Sequence, residues 1–283
     1  MNVALVGCKN PPQEDFDAPP LLAALAARGH QGDEAAWNDA SVDWRRYDAV
    51  LLRSTWDYYH RRDAFLDWAQ RVATVSRLWN PFEIVRWNTH KFYLRELEQR
   101  GLPIVPTEFV PTGENVDLGA ILATRGWDTA VLKPAVSADS FATLRAERHT
   151  PYAGQAHLER HLPGRDMLVQ RYIPTVDDPG ERCLVFIDGV YSHAVRKRSL
   201  FRGGRHAGPE GVPVEAAPEE IATAERILAS TGHALPLYAR VDLLRDEAGT
   251  PRLLELELVE PSLFFEAKPD AAISLVEALE KRS

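Results

Sequence analysis

The densest group of chemically useful side chains lies in YARVDLLRDEAGTPRLLELELVEPS, residues 238–262. A turn signal, Asp-Glu-Ala-Gly followed by Thr250-Pro251, separates two runs that alternate with period two, which predicts a β-hairpin. With the hairpin symmetric about its turn, Asp242 faces Glu255 and Arg240 faces Glu257, and all four side chains project from one side. Val241, Leu243, Leu254, Leu256 and Leu258 then cover the other side against a core. Carboxylates gathered on one face repel by roughly several kcal/mol per contacting pair at an intermediate dielectric, unless a cation sits among them. Oxygen donors in small number, with phosphate and water completing the octahedron, suit Mg²⁺. The bland alternative, a solvated sheet face of alternating charge, has to explain why acids gather there near one arginine, with no Lys, Ser or Thr to relieve them.

Two lysines stand at positions that reach anions. Lys133 ends the predicted strand TAVLK and is followed at once by Pro134 and a loop of small and hydroxylated residues, AVSADSFAT. From such a place an ammonium reaches a nucleotide phosphate as a point charge. Lys91 falls in the first turn of a predicted helix over 88–100, with Asn88 or Thr89 as its N-cap, where the helix dipole adds to its charge. A lone lysine is usually solvated surface, so neither is specific by itself. The hairpin RCLVFI-DG-VYSHAVRK, with its two-residue Asp188-Gly189 turn, sets Lys197 and Arg198 where a glycine-rich segment begins. That segment, 199–211, contains four glycines and two arginines and reads as a mobile lid, with a plain surface loop as the alternative. His193, on the same hairpin, is a possible ligand contact, although a structurally satisfied histidine is the commoner case.

Stepping from these residues to their supports, residues 3–8 (VALVGC) and 48–53 (DAVLLR) form apolar runs without alternation, as strands buried on both faces of a parallel sheet do. The second runs into STWDYYH. Loops at the carboxyl ends of such strands bind ligands, so Arg53, Ser54, Trp56 and Tyr58 are candidates, a packed loop with an aromatic anchor being the alternative. Helices are predicted at 20–28, 61–76, 88–100, 114–125, 218–231 and 270–281, and strands at 104–110, 129–133 and 167–173 beside the two hairpins at 182–197 and 238–259. The chain has 283 residues, 45% of them hydrophobic and 26% charged, enough for two or three small units around shared clefts. A net charge of −8 argues against a nucleic-acid surface. Two cysteines, Cys8 and Cys183, each in an apolar run, argue against a disulfide framework or zinc site and for a reducing cytoplasm. The N-terminus reads as a first strand and no run approaches membrane-spanning length.

In this order the parts resemble the ATP-grasp superfamily, most closely its glutathione-synthetase-like branch, from about residue 86 to 265. NTHK and VLKP match the family's two nucleotide lysines at Lys91 and Lys133. Gln170-Arg171-Tyr172-Ile173 matches its hinge, which implies backbone contacts from Tyr172 and Ile173 to adenine. Glu181 fits the acidic residue that holds the ribose. Asp242, Glu255 and Glu257 match the metal ligands, and Pro261-Ser262 the following substrate turn. Within the branch, LLRSTWDY, SHAVRK and YARVDLL…LLELELVEPSLFF resemble the bacterial group that includes the cyclo-ligase closing the D-cycloserine ring from O-ureido-D-serine. One departure is that the loop after Lys133, glycine-rich in the family, here contains no glycine, so that Ser137, Ser140 and backbone N–H groups are left to meet the phosphates.

The resemblance implies a mixed α/β and α+β chain: a Rossmann-like N-terminal (substrate) domain over 1–85, then ATP-grasp subdomains over 86–165 and 166–283. It also implies a cytoplasmic enzyme using ATP and one or two Mg²⁺ ions on a small amino-acid-like substrate, with a homodimer as the common state of the branch. The expected reaction is carboxylate–amine ligation, or ring closure, through an acyl phosphate, with Arg240 and Lys197 stabilising the transferring group. Ser262 would join Arg53, Ser54, Trp56 and Tyr58 around the substrate. A small-molecule kinase, an intermolecular amide ligase of secondary metabolism and a nucleotide sensor without turnover are the rival readings.

Overall fold

The computed structural model describes residues 1–138, 140–197 and 211–283. The expected lid at 199–211, apart from Gly211, lies outside the described residues, as does Arg198.

The N-terminal sheet is all parallel, in the order β2-β1-β3-β4, from β1 (Asn2–Gly7), β2 (Gln31–Ala36), β3 (Ala49–Ser54) and β4 (Arg77–Trp79). Its helices are α1 (Ala18–Ala27) and α2 (Arg62–Ala73). Alternate residues of β1 enter different cores: Val3 and Leu5 pack with Leu21 and Leu25 of α1, while Ala4 and Val6 pack with Phe65 and Trp68 of α2. Covering on both faces explains why the run lacks alternation. The edge strands β2 and β4 escaped sequence reading, because QGDEAA is largely exposed and carries no apolar period, and β4 has three residues.

The predicted helix over 88–100 corresponds to α4 (Tyr93–Gln99), and a separate helix, α3 (Phe82–Asn88), ends where the prediction began. Asn88 is not a cap. Its amide is buried against the third sheet, donating to Leu256 O (2.8 Å) and accepting from Leu258 N (2.8 Å), so the chain breaks there to dock. Lys91 therefore sits in the break before α4 and not in a helical first turn.

A second sheet, antiparallel, runs β5-β8-β6-β7 from β5 (Thr107–Val110), β6 (Thr129–Pro134), β7 (Leu144–Glu147) and β8 (Met167–Arg171). Helices α5 (Leu118–Arg125) and α6 (Tyr152–His161) pack on it through Leu122 and Leu158. A third antiparallel sheet runs β11-β10-β9-β12-β13 from β9 (Glu181–Ile187), β10 (Val190–Lys197), β11 (Gly211–Val214), β12 (Tyr238–Arg245) and β13 (Pro251–Glu257). Helices α7 (Pro218–Ala229) and α8 (Asp270–Arg282) complete the chain. Asp188 and Gly189 both take positive φ, 52° and 75°, as a two-residue hairpin turn requires.

The last hairpin pairs Arg240 with Glu257 and Asp242 with Glu255 as predicted, and then a β-bulge shifts the register so that Leu243 meets Leu253. The extra residue turns Leu253 into the core and Leu254 out of it. The expectation that Leu254 covers the core face is thereby corrected: it packs instead beside Val105, Ile173 and Leu244.

Candidate active site

Adjacent strands of the third sheet bring Lys197 opposite Glu181, Cys183 opposite Asp242, and Arg240 opposite Glu257. The Arg240 guanidinium, 3% exposed, donates to both oxygens of Asp242 at 2.8 Å, to Glu257, and to Ser262 O at 3.2 Å. The cation that first relieves the clustered acids is thus the hairpin's own arginine, a fork matched to carboxylates. Glu255 turns elsewhere and pairs with Lys91 Nζ at 3.0 Å. Burial pushes the Glu257 carboxyl up to about 8, Asp242 and Glu255 adding to the effect against Arg240. Burial would raise Glu255 too, but Lys91 and Lys133 hold it below its ordinary value. Glu181 is raised by burial despite Lys197, whose Nζ lies 3.6 Å away. Two neighbouring glutamates, Glu255 and Glu257, are therefore driven in opposite directions, a signature of functional clusters.

Lys91 also organises the loop after β6. Its amide donates to Ala135 O and its ammonium to Ser137 O, both at 2.7 Å. Lys133 is buried, its ammonium lowered by desolvation against the pull of Glu255, and it has no hydrogen-bond partner among the described residues. Ser137 is buried with Oγ on Pro134 O, whereas Ser140 is exposed. The glycine-free loop nevertheless takes left-handed backbone at Ser140 (φ 55°) and Ala142 (φ 52°), conformations glycine adopts without cost. His157 donates to Ala142 O at 2.8 Å, and the Phe141 ring lies 4.8 Å from that of Tyr59.

At the expected hinge, the Tyr172 amide donates to Thr129 O at 3.1 Å, extending the β6–β8 ladder. That N–H is engaged in the sheet. Tyr172 OH donates to Asp177 at 2.5 Å and the Arg145 guanidinium lies 4.1 Å from its ring centroid. Gln170 Nε2 donates to Thr107 Oγ1 (3.0 Å) and Arg171 Nη2 to Glu247 (2.7 Å). Ile173, 1% exposed, forms an apolar floor with Val105, Leu244 and Leu254. Glu181, expected at the ribose, lies in the acid cluster, where it accepts from Cys183 Sγ at 3.3 Å. Among the described residues, Glu181, Cys183 and Asp242 are the group whose candidate metal-ligating atoms lie within 4.8 Å of one another. Burial pushes the Cys183 thiol well up, so its sulfur stays protonated and the hard donors are the carboxylates.

A model of the N-terminal domain of D-cycloserine synthetase DcsG matches residues 3–80. The cycloserine biosynthesis protein DcsG of Streptomyces lavendulae is 36% identical over 293 residues, covering 95% of this chain and 94% of that protein. The chain belongs to the DcsG family. The crystal structure of D-cycloserine synthetase DcsG superposes with a TM-score of 0.89 at 35% identity, over 100% of this chain and 99% of the other. A RimK-domain ATP-grasp protein of Sphaerobacter thermophilus (TM-score 0.73, 19% identity, 98% and 99% covered) shares the fold. So does the ATP complex of Bacillus anthracis D-alanine–D-alanine ligase (TM-score 0.70, 14% identity, 99% and 96% covered). The fold is ATP-grasp, and the chain is an ATP-dependent ligase. No helix among the described residues is long and apolar enough to cross a membrane.

In this DcsG-family chain, the loop after β3 closes on the end of the last hairpin. Arg53 is 1% exposed, and its Nη2 donates to Asp17 (3.2 Å) and Pro261 O (2.9 Å). Trp56 Nε1 donates to Glu260 O at 3.2 Å, and Ser54 and Tyr58 are buried. His193 is structural: Nε2 donates to Leu263 O at 2.9 Å. Two residues of this junction were missed from sequence. Asp17 accepts from Leu263 N (2.5 Å) and Phe265 N (2.9 Å), a long-range role its local sequence does not announce. Glu260 was hidden by its place just past the alternating run, although VEPS itself marked a turn worth reading.

Proposed function

We propose that this ligase activates the carboxylate of a small amino-acid-like substrate as an acyl phosphate and closes it on a nitrogen of the same molecule, as its DcsG relatives suggest: in O-ureido-D-serine the oxygen-bonded ureido nitrogen displaces phosphate to close the ring, and water removes the carbamoyl group as carbon dioxide and ammonia, leaving D-cycloserine. The observation that carries the reading is the pairing of Lys91 with Glu255, beside buried Lys133 and the Arg240-bound acids. It combines cations for phosphate with carboxylates for a divalent ion in one cluster. Lys91 and Lys133 neutralise ATP phosphates, a role for which Lys133 stands without a hydrogen-bond partner among the described residues. Ser140 and the loop amides cover the phosphates. The apolar floor at Ile173 faces adenine, with Gln170, Arg171 and Tyr172 setting the hinge and Glu181 at the ribose side.

Asp242, Glu255 and Glu257 would hold one or two Mg²⁺ ions, because their side chains share one face of the last hairpin and offer the hard oxygen donors that such an ion takes. When bound, Mg²⁺ supplies Lewis-acid stabilisation of phosphate oxygens. Arg240 and Lys197 stabilise charge on the transferring group, and phosphoryl transfer needs positioning and electrostatics more than a base. Ser54, Trp56, Tyr58 and Ser262 line the substrate end, where Arg53 fixes the Pro261 turn. Residues 1–85 act as the substrate domain, and 86–165 and 166–283 as the two ATP-grasp subdomains. The protein works as a cytoplasmic homodimer.

The test is incubation with ATP, Mg²⁺ and O-ureido-D-serine, followed by mass spectrometry and ADP measurement. A ring product formed with ADP release is expected. A stable phosphorylated product would favour a kinase and overturn the ligation step, and an amide joining two molecules would overturn ring closure.

A further inference from the structure

We propose that Phe141 is a positioning residue that clasps the loop after β6 to the N-terminal unit, resting on the reading above that this loop covers the ATP phosphates. Segments far apart in sequence meet on its ring. Tyr59 and His60, from the turn Tyr58–His60 after β3, lie with ring centroids 4.8 Å and 5.8 Å from that of Phe141. They also pack on one another at 4.1 Å. The Arg165 guanidinium, from the bend before β8, stands 5.3 Å from the Phe141 centroid. Val136, earlier in the same loop, packs on the N-terminal core that contains Tyr58 and Phe65. The loop thus meets the N-terminal unit at two places.

The backbone holds the ring in place. Phe141 N donates to Ala138 O and Thr143 N to Ser140 O, each at 3.0 Å, and His157 Nε2 donates to Ala142 O at 2.8 Å. On either side of Phe141, Ser140 and Ala142 take φ of 55° and 52°. Residues other than glycine keep such a conformation only where their surroundings over-determine it. At its start the same loop is tied to the charged cluster: Lys91, ion-paired with Glu255 at 3.0 Å, donates to Ala135 O and Ser137 O. One loop is therefore fastened to the lysine–acid cluster by hydrogen bonds and to the substrate-side turn by stacked rings. Aromatic pairs add favourable edge and face contacts to the area they bury. Tyr59 touches no part of the charged cluster in this arrangement except through that loop, so its influence on the phosphates passes through Phe141.

The experiment measures, by calorimetry, binding of AMPPNP with Mg²⁺ and of AMP to the wild type, Phe141→Ala, Tyr59→Ala and the double variant. Each single variant is expected to weaken AMPPNP by about tenfold. AMP should bind all four alike, because the loop acts on the terminal phosphates. The double variant should bind AMPPNP no more weakly than either single one, since the two rings act as one contact. Phe141→Tyr, which keeps the ring, should stay within about threefold of the wild type. Losses that add in the double variant, an equal loss for AMP, or unchanged AMPPNP affinity in Phe141→Ala overturn the clasp. A wild type that binds AMP but gains nothing from the terminal phosphates overturns the reading of the loop as phosphate cover, and the clasp with it. A wild type that does gain from them while Phe141→Ala makes no difference removes the clasp alone.

Discussion

Two buried arginine–aspartate pairs do different jobs in this molecule. Arg53 and Asp17 have side-chain exposures of 1% and 5%, and Arg240 and Asp242 of 4% and 3%. By burial they are alike. Around Asp17, backbone N–H groups of Leu263 and Phe265 join Arg53, so one carboxylate is met by three donors and the junction is closed. Around Arg240 one guanidinium serves two carboxylates, a third pairs with Lys91, and Glu257 is left raised to about 8. The first pair gives Asp17 its donors and holds elements together, although Arg53 Nε and Nη1 are buried without a hydrogen-bond partner among the described residues. The second leaves acids short of cation, which is how a fold makes room for a charged ligand. Burial therefore does not separate the two pairs; the number of donors that meet each carboxylate does.

The largest effect should come from the open cluster. Glu255→Gln keeps a side chain for Lys91 to contact but removes the charge. ADP release should fall by about 1000-fold or more, while the protein keeps a single cooperative unfolding transition. Parallel kinetics and urea melts check both. If the variant keeps full turnover, the carboxylate has no part in the reaction and the comparison breaks on this side.

The closed junction should behave in reverse. Arg53→Met leaves Asp17 a buried charge with backbone donors only, which should cost about 3 kcal/mol of stability. Nucleotide affinity of the folded protein, measured by equilibrium dialysis of ADP, should be retained. A variant of unchanged stability that no longer binds nucleotide would mean that Arg53 serves a ligand and not the frame.

Sequence reading found the open cluster more readily than the closed one, for a physical reason. Arg240, Asp242, Glu255 and Glu257 share one hairpin, so period-two alternation alone puts them on one face. Asp17 reaches residues 263 and 265 across the chain, and nothing local marks that contact. The same distinction runs through the fold. Apolar β1 and the Asp188-Gly189 hairpin were legible, because burial on both faces and a φ-positive turn leave residue-level marks. The polar edge β2, the short strands β4 and β7, and α6 were not. The break between α3 and α4 was hidden because Asn88, a good cap by type, is used to bridge the edge of β13. The bulge after Asp242 could not be read from alternation, and it moved Leu254 beside Val105, Ile173 and Leu244. Lys91 and Lys133 were found as lysines, but their meeting at Glu255 depends on three elements docking at once.

The smallest effect is the one that separates the two pairs by pH. Glu257 and Glu260 have ordinary values of 4.5 and are raised in the fold to about 8 and about 7, in both cases chiefly by burial. The fold therefore favours their protonated forms. Their contribution to stability is complete below the ordinary value and is lost as pH rises through 7 and 8. His90 and His193 act in the opposite sense at lower pH: burial lowers both, so stability is lost there as pH falls. A window from about pH 6.5, the ordinary histidine value, to about pH 8.5 isolates the glutamates. Across it, the nucleotide-free protein should lose about 1–2 kcal/mol of unfolding free energy, measured by urea melts. Glu257→Gln should flatten most of that slope, since a neutral amide has no proton to lose. Mg²⁺ with ADP should stabilise the wild type more at the upper end of the window than at the lower, because a cation binds the ionised carboxylates and not the protonated ones. A wild type whose stability rises steadily across this range would show that the acids already have all the positive charge they need, and the open cluster would then be as closed as the junction at Arg53.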